Sequence, residues 1–166
     1  MTYIDTSIIV AALDPQDPRQ RQARKVLKTG RDNVVSELVI AELASVISRR
    51  EELVKSMASK LGLPGELTLT ALLIYILRRF KLNYRAVEGR ATLPLLGKMT
   101  TPIATAVELV PKLRLRTLDL LHAAYVKTLR DSGEPIHTLL TADIEFEKSS
   151  KQLGEAVGVK LHIMKQ

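Results

Sequence analysis

Hydrophobic positions along the chain alternate between two periods. Short apolar runs of strand type are separated by longer stretches in which apolar residues recur at helical spacing. Tyr3-Ile4-Asp5 reads as the end of a short buried strand, and Ser7 to Leu13 as a short helix. Asp14-Pro15-Gln16-Asp17-Pro18 is a turn signal, with Asp17 as a helix cap and Pro18 at the first helical position. An amphipathic helix then runs to about Lys28, with Ala23, Val26 and Leu27 inward and Arg19, Arg21, Arg24, Lys25 and Lys28 outward, and Gly30 ends it. Asn33-Val34-Val35 is a second strand, and Ser36 caps the helix carrying Leu38, Val39, Ala41, Leu43, Val46 and Ile47.

From Glu51 to about Pro111 the periodicity is mostly helical, with breaks at Gly62-Leu63-Pro64-Gly65, Asn83-Tyr84, Leu93-Pro94 and Thr101-Pro102. Within it, Thr68–Leu77 is apolar nearly all round, through Leu69, Leu72, Leu73, Ile74, Ile76 and Leu77, and is expected to be an interface helix. Thr117 caps a helix from Leu118 to Leu129. His137–Thr141 is a third strand, Ala142–Leu153 a helix, and Val159–Met164 a last strand. Strands alternating with helices indicate an α/β fold of three layers, helices over both faces of a short central parallel sheet. Neither a repeat nor a linker is visible, so residues 1–166 are expected to form one domain with a helical middle section at about 51–111.

Composition narrows the chemistry. No cysteine and only three histidines, His122, His137 and His162, occur in the 166 residues, which excludes disulfides, thiolate zinc sites and a cysteine nucleophile. Lys+Arg number 25 against 18 Asp+Glu, a net charge of +7. That balance suits a polyanionic partner or simply a solubilising surface. The longest apolar run, Ala71–Leu77, is flanked by Arg78 and Arg79 and is far shorter than a membrane span, and the N-terminus has no leader pattern. A soluble, cytoplasmic protein without membrane contact is expected.

In an open parallel sheet, ligands bind beyond the carboxyl ends of the strands. Asp5 and Asp143 lie just past the first and third strands, and Asp119 opens its helix where a strand-to-helix connection leads to the same edge. Glu42 has Leu38, Val39 and Val46 at helical spacing, so an apolar face contains a carboxylate. Singly, Asp5 and Asp143 are explained as turn residues, Asp119 as a first-turn acid favoured by the helix dipole, and Glu42 as an outward residue. Together, several ionised carboxylates at one edge are costly without a cation, and Mg²⁺ or Mn²⁺, which takes oxygen ligands, would remove the cost. Glu37 is read as a dipole partner of its helix, although it too could reach the edge, and His122 as a packed or supporting histidine rather than a base. No glycine-rich phosphate loop exists, and Ser7 stands where a haloacid-dehalogenase motif needs a second Asp.

Met1-Thr-Tyr-Ile-Asp5-Thr6-Ser7 resembles the opening of PIN-domain nucleases. Val35-Ser36-Glu37-Leu38-Val39-Ile40-Ala41-Glu42-Leu43 resembles their second motif, Leu118-Asp119-Leu-Leu-His122-Ala123-Ala124 the third, and Leu140-Thr141-Ala142-Asp143 the fourth. Each motif alone is weak, but the four occur in order through the whole chain. The subgroup most similar is the VapC-like toxin of VapBC toxin–antitoxin pairs. The resemblance implies a PIN-like fold and a metal-dependent endoribonuclease that hydrolyses RNA phosphodiesters by Mg²⁺- or Mn²⁺-activated water. It implies Asp5, Glu42, Asp119 and Asp143 as metal-binding, catalytic acids, with Thr6, Ser7 and Thr141 orienting acids or water. It also implies a cognate antitoxin and a homodimer. Arg19, Arg21, Arg24, Lys25, Arg114 and Arg116 are the cations expected to meet RNA phosphates. The alternatives are a PIN-like module kept for RNA binding or assembly without catalysis, and an RNA-processing nuclease without an antitoxin.

Overall fold

The structure, a computed structural model, describes residues 1–165, apart from the side chains at positions 53, 65 and 66. Strand β1 (Thr2–Ile4) enters helix α1 (Thr6–Leu13), and α2 (Gln20–Thr29) leads to β2 (Asn33–Val35). Helices α3 (Glu37–Ser48), α4 (Glu51–Leu61) and α5 (Gly65–Arg79) follow, then β3 (Asn83–Tyr84), β4 (Arg90–Leu93), β5 (Gly97–Thr100) and α6 (Thr101–Leu109). Helix α7 (Thr117–Asp131), β6 (Thr138–Thr141), a 3₁₀ turn (Ile144–Ser149), α8 (Ser150–Val157) and β7 (Lys160–Ile163) complete the chain.

Five strands form a parallel sheet in the order β3-β2-β1-β6-β7. Consecutive residues point to opposite faces of a strand. Tyr3 and Ile4, Val34 and Val35, and Leu139 and Leu140 are nonetheless all buried, so both faces are covered by helices, as expected from the alternating elements. The central strand is β1, paired with β2 through Tyr3↔Val34 and with β6 through Ile4↔Leu140. Their carboxyl ends therefore lie side by side, and Asp5, Ser36 and Thr141 leave the sheet at one edge.

The helical middle section needs correction. Residues Arg90–Thr100 form an antiparallel hairpin of β4 and β5, and Asn83–Tyr84 is a strand that extends the sheet beside β2 through Val34↔Asn83 and Val35↔Tyr84. Leu93 is buried and Thr92 exposed, a period-two pattern too short to outweigh the helical signals on either side. The two residues of β3 are too few for period or propensity to mark a strand, and they pair with the free edge of β2. Gly97, at φ +84°, closes the hairpin in a conformation that side chains disfavour. Ala142–Leu153, expected as one helix, divides into the 3₁₀ turn and α8.

Local signals act in other ways than expected. Gly30 ends α2 at φ −63°, so no left-handed cap is involved. A Cβ there would lie 2.4 Å from the Asn33 amide, which donates to the Leu27 carbonyl at the helix end. Asp17 accepts from the Arg19 backbone N–H at 2.8 Å, one residue ahead of α2. Arg116, not Thr117, is the residue preceding α7.

Candidate functional site

Asp5 is the N-cap of α1 and is held from three sides. It accepts from the Ser7 N–H at 3.2 Å and from the Ser7 hydroxyl at 3.0 Å, and it also accepts from the Thr141 hydroxyl across the β1–β6 pair. Glu42, mid-way along α3, turns inward, accepts from the Thr6 hydroxyl, and stands 3.0 Å from His122 Nε2. Burial would raise the Glu42 carboxyl; the hydrogen bond and charge of His122, with the Thr6 hydroxyl, outweigh it and hold the acid below its ordinary range. The dipole-partner reading of Asp119 is incomplete, because that side chain is also buried and faces the other acids. Burial first, and then the charges of Asp143 and Asp5, push its carboxyl up to about 6, against the opposing His122 and Arg116. Asp143 accepts from the Glu145 N–H at 2.8 Å, capping the 3₁₀ turn, and its side chain borders the same cleft.

That cleft has a volume of about 390 Å³ and is bordered by Asp5, Glu42, Asp119 and Asp143 together, with Thr6, Ser7 and His122. The four acids named from the sequence thus meet at the carboxyl edge of the sheet. Thr141 lies beneath, buried, joining Asp5 to the Asp143 N–H at 3.0 Å. Donor atoms of Asp5, Glu42 and His122 lie within 4.8 Å of one another. Four carboxylates on one cleft, one of which already resists ionisation beside two others, fit a hard divalent cation, which would supply the missing positive charge.

The cations divide. Arg19 is committed to Asp17 by a bidentate pair at 2.8 and 2.9 Å, and it donates to the Ala142 carbonyl beside Asp143. Arg24 donates to the Ala12 carbonyl at 2.8 Å. Arg21, Lys25, Arg114 and Arg116 face solvent, and Arg116 is near enough to Asp119 to lower its pKa. Sequence reasoning missed Arg49, which borders the acidic cleft. The available signal was spacing: Ser45, Val46 and Arg49 follow Glu42 by three, four and seven residues, on one face of α3. Glu37 turns away from the cleft, and its Oε1 accepts from the Val87 N–H at 2.7 Å.

A second, apolar cleft of about 560 Å³ runs between α1, α3, α4 and α5, bordered by Val10, Leu13, Leu43, Ile47, Leu72 and Tyr75 among others. On α5, Leu72 and Ile76 are buried and Leu69, Leu73 and Leu77 pack on the core, whereas Ile74 and Tyr75 are exposed. No helix among the described residues is long and apolar enough to cross a membrane.

The chain is similar in fold to three structures of known proteins. VapBC2 from Rickettsia felis bound to a DNA fragment from its promoter aligns over 99% of this chain and 100% of that one, at 20% identity and a TM-score of 0.56. FitAcB from Neisseria gonorrhoeae aligns over 97% and 96%, at 15% identity and 0.56. Mycobacterium tuberculosis VapC20, described as a sarcin-ricin loop cleaving toxin, aligns over 84% and 87%, at 16% identity and 0.52. A sequence comparison with curated proteins gives no significant relative. The PIN-domain family model matches residues 2–151, a span holding all four acids and the sheet edge that gathers them, and the chain therefore belongs to the PIN-domain family.

Proposed function

We propose that the chain is a metal-dependent endoribonuclease, the toxin of a toxin–antitoxin pair, hydrolysing RNA phosphodiesters with Asp5, Glu42, Asp119 and Asp143 as its metal-binding acids. The observation that carries the reading is the cleft itself, in which four carboxylates face one another with Asp119 pushed up to about 6. A divalent cation bound there, Mg²⁺ or Mn²⁺, would acidify the attacking water and stabilise charge developing on the phosphate. The protein's own part is placement. Ser7 and Thr141 hold Asp5 in one orientation, and Thr6 with His122 holds Glu42. Arg49 and Arg116 flank the acids and neutralise neighbouring phosphates of the strand, which gives affinity without reading bases. Arg21, Lys25 and Arg114 extend that field. With 2 Phe, 4 Tyr and no Trp, stacking is a minor contributor.

The antitoxin reading is supported by the apolar cleft, whose walls suit an apolar segment of a partner protein, and by the likeness to VapBC2 and FitAcB. A homodimer in the cytoplasm completes the proposal. The deciding experiment is cleavage of structured and unstructured RNA in Mg²⁺, Mn²⁺ or chelator. Cutting that requires metal and is lost in Asp5→Asn is expected. RNA bound but uncut in every metal would favour the catalytically silent module instead.

A further inference from the structure

The His122 contact that holds Glu42 is one end of a buried row of hydrogen bonds that continues behind the acids. Ser36 Oγ lies 2.7 Å from the Tyr3 phenol oxygen, and that oxygen lies 3.1 Å from His122 Nδ1. His122 Nε2 lies 3.0 Å from Glu42 Oε2 and 3.4 Å from Asp5 Oδ1. Ser36 and Tyr3 are fully buried and His122 is 2% exposed. An ionised carboxylate only accepts hydrogen bonds, so the His122 Nε2–H must be the donor to Glu42. Nδ1 is then committed to Tyr3, whose hydroxyl can donate or accept, as can that of Ser36. Neither ring nitrogen is left with a lone pair directed into the cleft.

We propose that Ser36, Tyr3 and His122 are positioning residues for the metal-binding acids. The imidazole N–H donates to Glu42 while the ring lies 3.4 Å from Asp5, which offsets the repulsion between the two carboxylates, and Tyr3 and Ser36 fix the plane of the ring. The row crosses from the end of β2 through β1 to α7 and α3, so the sheet itself sets the spacing of the two carboxylates. This rests on the metal-nuclease reading above. A flexible glutamate that must be gathered by the ion binds it more weakly than one already held, and loss of such outer partners weakens metal binding about 10–100-fold.

The test uses Mn²⁺ binding measured by calorimetry on the full chain. Tyr3→Phe keeps the ring and removes the link; Ser36→Ala loosens the row at its far end; Thr105→Ala removes a comparably buried hydroxyl that bonds Thr128 away from the row. Tyr3→Phe is expected to weaken Mn²⁺ binding at least tenfold while retaining a cooperative melt, Ser36→Ala several-fold, and Thr105→Ala not at all. Should Tyr3→Phe fail to fold, Ser36→Ala decides by the same criterion. Parent-like affinity in the folded variants, or an equal loss in Thr105→Ala, overturns the proposal. So does pulsed paramagnetic resonance showing an imidazole nitrogen bound directly to Mn²⁺, which would make His122 a ligand. If the parent takes up no Mn²⁺, the metal-nuclease reading fails first and the positioning role falls with it.

Discussion

Asp119 carries opposite consequences with and without metal. In an unfolded chain an aspartate titrates near 4, whereas in the folded protein burial and the charges of Asp143 and Asp5 push this one up to about 6. Between those values the folded state holds the proton more tightly, so the metal-free protein loses stability from this residue as pH rises from about 4 to 6. A shift of that size corresponds to about 3 kcal/mol above the window. Asp119→Asn removes the ionisation, so the metal-free variant should exceed the parent at pH 7.5 by about 2 kcal/mol after losing a small helix-dipole contribution. At pH 3.5 the two should coincide. Saturating Mn²⁺ should reverse the order at pH 7.5, because only the parent gains the full binding energy, about 2.7 kcal/mol at one hundred times Kd. Urea melts at both pH values, with Mn²⁺ or chelator, check all three outcomes.

At the scale of single elements, α2 illustrates how a charge pattern divides between structure and surface. Helical spacing placed Arg19, Arg21, Arg24 and Lys25 outward. In the folded chain Arg19 closes onto Asp17 and the Ala142 carbonyl, and Arg24 onto the Ala12 carbonyl, because exposed carbonyls and an acid at helix ends draw guanidinium donors. Arg21→Ala with Lys25→Ala should therefore leave the fold intact and flatten the log–log salt dependence of RNA binding by about two charges' worth. Arg19→Ala should instead cost about 1 kcal/mol of stability, since it removes charge-assisted bonds at a site only 23% exposed. Filter binding across a salt series and thermal melts separate the two effects. Helix α5 divides in the same manner. Its stripe through Leu72 and Ile76 serves the core, and Leu67, Ile74 and Tyr75 stay exposed for a partner, so Leu73→Glu would test folding rather than association.

For the whole molecule, the two clefts make separable predictions. Tyr75 is 54% exposed and borders the apolar cleft. Tyr75→Glu should leave metal-dependent cleavage unchanged and weaken antitoxin binding at least tenfold, as placing a charge in an apolar contact requires. Co-purification with an antitoxin encoded beside this chain, followed by a cleavage assay of each variant, reads both properties. Unchanged antitoxin binding would remove the apolar cleft from the interface.

Local sequence determined the alternation of strands and helices, the two acids where β1 and β6 end, and the acid in the first turn of α7, which follows α6 rather than a strand, because all of these depend on neighbours within a few positions. Asp5, Asp119 and Asp143 are legible for that reason, and Glu42 is legible through its apolar neighbours one turn away. Tertiary structure decided whether those acids meet. It turned Glu42 towards Thr6 and His122 and Glu37 away towards Val87. It also added β3 to the edge of the sheet and drew Arg19 out of the surface field. The row behind the site has no local signature, since Ser36 lies 33 residues from Tyr3, and Tyr3 lies 119 from His122. Periodicity reports which face of an element is apolar. Which polar group on another element that face will meet is set by the parallel pairing of β1 with β2 and β6, and only the folded sheet brings those distant positions within hydrogen-bonding reach.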